Sequence, residues 1–88
     1  MSQDFLMAPI GTKARLRQDL PEIEWFKREL VLGKENVLTI QKIEVDRNSS
    51  EVWFEEVSGG YNTSAFETIE EFEPIDLEKW RQRLSCYL

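Results

Sequence analysis

Val37-Leu38-Thr39-Ile40-Gln41-Lys42-Ile43-Glu44-Val45-Asp46 is the strongest strand signal in the chain, and its reading decides the fold. The run is rich in β-branched residues, which fit a pleated surface. Its alternation changes phase: Leu38 and Ile40 lead on one parity, Ile43 and Val45 on the other. A straight strand would turn one of these pairs to solvent, because side chains point alternately to opposite faces. A bulge or sharp bend near Gln41 and Lys42 returns all four to one face, and such a bend is what a small curved sheet needs at its corner.

The flanking segments extend this reading. From Ile10 to Arg17, Ile10, Thr12, Ala14 and Leu16 alternate with Gly11, Lys13, Arg15 and Arg17, which predicts a half-buried strand with a basic outer face. Downstream, Asn48-Ser49-Ser50 reads as a turn, Glu51 to Val57 as a strand, Ser58-Gly59-Gly60 as a tight turn and Tyr61 to Glu67 as another strand. Between the first two strands, Asp19, Pro21 and Glu22 resemble a helix start, and Ile23, Phe26 and Leu30 recur at helical spacing before Gly33. A short helix within residues 20–32 is expected. After Pro74, Asp76 can cap a terminal helix over residues 76–88, with Leu77, Trp80, Leu84 and Leu88 forming one apolar stripe. The predicted fold class is mainly β: a small, five-stranded, bent antiparallel sheet approaching a barrel, with a loop helix and a C-terminal helix. Residues 1–9 are expected to be a loose segment ending near Pro9, and residues 10–88 a single domain.

Composition bounds the function. The chain has 88 residues, 41% apolar and 32% charged, a globular balance with room for one core. No apolar run approaches the roughly 20 residues that cross a bilayer, so no membrane association is expected. Residues 1–10 lack a basic start and an apolar run, so no signal peptide is expected, and the single cysteine, Cys86, fits a reducing compartment. Cytoplasmic localisation follows as the expectation. The absence of histidine removes the commonest general base and metal ligand, so neither catalysis nor a cofactor or metal is expected.

Gly11-Thr12-Lys13-Ala14-Arg15-Leu16-Arg17 with Asp19-Leu20, then Gly33-Lys34, Leu38-Thr39-Ile40, and the hairpin from Val52 through Tyr61 to Phe66-Glu67 resemble small Src-homology-3-like barrel proteins of bacteriophages and mobile elements. The resemblance covers roughly residues 10–72. It implies a barrel-like interaction domain of phage type, without the acidic and aromatic loop signature of proline-peptide binders.

Charge layout suggests what such a domain binds. Nine acids and no lysine or arginine lie between Asn48 and Glu78, so the net charge of −6 divides into −9 there and +3 elsewhere. A field of one sign repels phosphate and attracts basic surfaces. The candidate partner-binding residues are therefore Trp53, Glu55, Glu56, Tyr61, Glu70 and Glu71, with Trp25 among the aromatics able to anchor an interface. A protein partner with a basic or mixed surface is expected, and duplex DNA is not. Leu77, Trp80, Leu84 and Leu88 are the candidates for helix packing or for a homodimer. A rival use, nucleic-acid contact by Lys13, Arg15 and Arg17, competes with simple pairing of those bases to acids on a neighbouring strand.

Overall fold

A computed structural model describes residues 4–84. Five antiparallel strands form one sheet in the order β4-β3-β2-β1-β5: β1 Lys13–Leu16, β2 Leu38–Val45, β3 Ser50–Phe54, β4 Gly60–Asn62 and β5 Phe66–Thr68. The phase change in β2 is resolved as expected. Ile40 pairs with Phe54 and Lys42 with Trp53, leaving Gln41 as the extra residue of a bulge. Leu38, Ile40 and Ile43 are consequently all buried, while Gln41 and Lys42 face solvent. The bulge also divides the work of the strand. Leu38 and Thr39 pair with β1, and Ile40 to Val45 pair with β3. The sheet bends strongly at this point but does not close into a barrel.

Ala14 and Leu16 from β1, Val52 and Phe54 from β3 and Phe66 from β5 fill the core with the β2 residues. Phe54 and Phe66 meet with tilted rings 4.8 Å apart. The opening strand is shorter than its alternation suggests. Gly11 has a positive φ of 96° and sits in a turn, which leaves Ile10 exposed.

The segment read as one strand over Tyr61 to Glu67 is two. Asn62 accepts a hydrogen bond from the Ser64 amide and caps a 3-10 turn over Thr63–Ala65, so the chain turns a corner between β4 and β5. This corner supplies the fifth strand. The loop helix also differs in its start. A 3-10 turn over Glu24–Phe26 leads into α1, Lys27–Leu30, and Asp19 caps neither; its carboxylate is held by Arg17 at 2.9 and 3.0 Å. Gly33, at φ 81°, ends the segment in the left-handed conformation expected of it.

Of the segment expected to be loose, residues 5–8 are packed against the domain. Phe5–Met7 form a 3-10 turn, Phe5 and Leu6 pack on the core, and Ala8 is fully buried. The terminal helix α2, Leu77–Arg83, starts at the expected Asp76 cap, whose carboxylate accepts the Lys79 amide. Its apolar stripe does not bury as a unit: Leu77 is 66% exposed and Trp80 half-buried. Neighbouring groups anchor the helix instead. Ile75 is buried and donates its amide to Met7, Leu84 bridges Val45, and Arg83, 8% exposed, donates to the Leu6 carbonyl at 2.7 Å. A helix of seven residues offers about two turns, too few for its whole stripe to reach the sheet. Leu88 and Cys86 lie outside the described residues. Among the described residues no helix is long and apolar enough to cross a membrane.

Candidate functional site

The loop between β1 and β2 places one large aromatic in solvent. Phe26 and Leu30 face the core at a spacing of four, and Trp25, one residue before Phe26, is rotated away from that face by the helical twist. Its side chain is 85% exposed, against a hydrophobic core that takes up most of the other large apolar groups. Three residues on, Arg28 reaches across to β4. It donates to the Gly60 carbonyl at 2.9 Å and lies 5.2 Å over the Tyr61 ring. The α1 segment thereby covers part of the β4 edge, a usual protection for an open strand.

Tyr61 is fixed from three sides. It pairs with Val52, stands edge-on to Phe66 at 6.4 Å and donates its hydroxyl to the Ser58 carbonyl at 3.1 Å. Trp25, Arg28, Tyr61, Ser50, Glu51 and Asn62 line a cleft of about 280 Å³. Its floor is preorganised and its rim carries a free aromatic face, a cation and a carboxylate, a mixture suited to a protein surface.

The expected partner-binding residues do not form one patch. Directly opposed residues share a face, so Tyr61, opposite Val52, is on the core side, whereas Trp53, opposite Lys42 and Gly60, is on the outer side. Lys42 covers the Trp53 ring at 5.0 Å. Glu55 is exposed. Glu56 is committed internally: its carboxylate accepts from the Thr39 amide and the Thr39 hydroxyl, each at 2.7 Å. These bonds, the amide first, hold its pKa below the usual carboxylate range. Glu70 accepts from the Lys13 amide, and Glu70 and Glu71 border a separate groove along β5.

The three bases of the opening segment are each engaged within the domain. Lys13 donates to the Thr39 hydroxyl, Arg15 meets Glu67 at 3.0 Å, and Arg17 binds Asp19 and the Ser64 carbonyl. The bond between Arg17 and Asp19 raises the first pKa and lowers the second. Beyond the cleft, Ile23, Leu30 and Val31 line an apolar groove of about 610 Å³ between acidic Glu22 and Glu24 and basic Lys27 and Lys34. Sequence periodicity misses it, because Ile23 falls in the predicted helical stripe yet precedes the helix.

The comparison with protein families bears on this part of the chain. The model of a family described as bacteriophage T4 protein Y07B matches residues 23–81, about two thirds of the chain. The chain belongs to the Y07B family. Its phage-type origin agrees with the resemblance seen in the sequence. The Y07B match spans the whole cleft, from Trp25 to Asn62, and extends through most of α2. No curated protein and no solved structure matches the chain.

Proposed function

We propose that this Y07B-family domain is a non-catalytic protein-protein interaction module of Src-homology-3-like type, working in the cytoplasm of the infected cell. The fold part of the reading is supported by the strand order β4-β3-β2-β1-β5, the bulged β2 shared by both halves of the sheet and the 3-10 corner before the last strand. The functional part rests on one observation: Trp25 stands 85% exposed at the rim of a cleft lined also by Tyr61 and Arg28. A tryptophan left in water by its own core is the residue type most enriched at binding hot spots.

The partner presents a basic or mixed surface, because the acid-rich stretch 48–78 contributes Glu51 to the cleft lining and carries nine negative charges with no lysine or arginine. Duplex DNA is disfavoured, since Lys13, Arg15 and Arg17, the bases that would release counterions, are each already bonded within the domain. Affinity capture from infected cells tests the reading. Wild-type protein should retain a partner that Trp25→Ala loses at equal melting temperature. Equal capture by both proteins would refute the assignment of the cleft.

A second reading has its own support. Leu77 is 66% exposed on α2 and adjoins half-buried Trp80, so a two-fold contact between helices would cover both. Sedimentation of wild type and Leu77→Glu separates it from the first: only the homodimer requires a concentration-dependent mass that the substitution abolishes.

A further inference from the structure

The edge strand β5 has an unused row of backbone groups. The bonds from the Arg17 amide to the Ala65 carbonyl and from the Ile69 amide to the Lys13 carbonyl fix the phase of the β1-β5 ladder. In that phase Glu67 exchanges bonds with Arg15, while Phe66 and Thr68 stand opposite Leu16 and Ala14 as non-bonded pairs. Their backbone groups therefore point away from β1. The Phe66 amide turns back to the Thr63 carbonyl. The Phe66 carbonyl, the Thr68 amide and the Thr68 carbonyl meet no donor or acceptor among the described residues.

A groove of about 750 Å³ runs beside this edge, lined by the consecutive residues 66–71 together with Phe5 and residues 17–19. Residues from both faces of β5 line it, the inner Phe66 and Thr68 and the outer Glu67, so it follows the strand edge rather than either face. Among the described residues its titratable lining is four carboxylates, Asp19, Glu67, Glu70 and Glu71, against the single cation Arg17. The opposite edge of the sheet is different: there Arg28 occupies the Gly60 carbonyl.

We propose that the β5 edge binds an extended, basic segment of a partner protein by strand addition. In antiparallel register one residue of that segment exchanges two bonds with Thr68, and the residue two positions further along donates a third to the Phe66 carbonyl. Backbone pairing supplies the affinity, and lysine or arginine side chains beside Glu70 and Glu71 set the choice of partner. This surface shares no lining residue with the Trp25 cleft, so it goes beyond the function proposed above and can fail without it.

The probe is a labelled, end-blocked hexapeptide of alternating lysine and valine, titrated into the full chain by fluorescence anisotropy, with amide shifts followed by NMR. Binding should move the Thr68 and Ile69 amides most. Methylating the amide nitrogens on the pairing edge of the peptide should weaken it at least about tenfold, because the lost bonds have no side-chain substitute. Glu71→Lys, a surface change, should weaken binding about two- to fivefold at low salt and less at high salt. Thr68→Pro removes an outward amide and should abolish binding while the chain still melts cooperatively. Methylated and unmodified peptides binding within twofold of each other would overturn the proposal. So would shifts confined to residues 24–31, or an edge already protected in a concentration-dependent dimer.

Discussion

Removing the Glu56 carboxylate should destabilise the domain although the residue lies on the surface. Its two oxygens hold Thr39 at 2.7 Å through the amide and the hydroxyl, and Thr39 is a buried residue next to the β2 bulge. Charge-assisted bonds contribute about 1.5–3 kcal/mol each when shielded, and water reaching the exposed carboxylate brings the pair down to about 2 kcal/mol in total. In a domain of this size that loss lowers Tm by roughly 8–16 °C. Glu56→Ala should show it in urea titrations followed by tryptophan fluorescence. Glu56→Gln keeps the shape and removes the charge, so it isolates the pH dependence. Because the folded pKa of Glu56 is lowered from 4.5, the carboxylate stabilises the fold fully above that value. The contribution is lost as pH falls through the folded pKa. The stability difference between wild type and Glu56→Gln should therefore be constant near neutrality and vanish in acid. A difference that is absent at pH 7, or unchanged down to pH 2, would refute the clamp.

Other substitutions check the packing. Phe54→Ala should cost about 3–5 kcal/mol and leave much of the protein unfolded in thermal melts, since the ring is fully buried against Phe66. Leu77→Ser should change stability by less than about 0.5 kcal/mol, whereas Ile75→Ala should cost about 2–4 kcal/mol, reversing the order that the helical stripe suggests. Arg83→Ala leaves the Leu6 carbonyl without its partner and should cost about 1–3 kcal/mol, with hydrogen exchange accelerated first in α2 and in residues 5–8.

What the sequence reveals here depends on how local the cause is. The bulge at Gln41 is legible because a change of apolar phase within one strand has a single structural remedy. The Asp76 cap is legible because its bond closes within three residues. Asp19 offers the same local signal and is diverted by Arg17, two residues earlier, which no capping rule weighs. The corner at Asn62 is missed because its neighbours Tyr61 and Phe66 both read as strand, and the short polar stretch between them is outvoted. For the site, parity within β3 correctly separates Trp53 from Val52 and Phe54, but cannot say which partner covers each face. Tyr61 and Trp53 therefore look like neighbours in a list of aromatics and lie on opposite sides of the sheet. The burial of Arg83 is invisible in sequence because its partner, the Leu6 carbonyl, is 77 residues away.

Position-specific photocrosslinking in infected cells tests whether the Trp25 cleft is a protein-binding surface. A photoreactive phenylalanine analogue in place of Trp25 should crosslink to one discrete protein. The same analogue at Gln41, exposed at the β2 bulge and outside the cleft lining, should not. Equal crosslinking from both positions, or none from position 25 while the partner still co-purifies, would contradict the account.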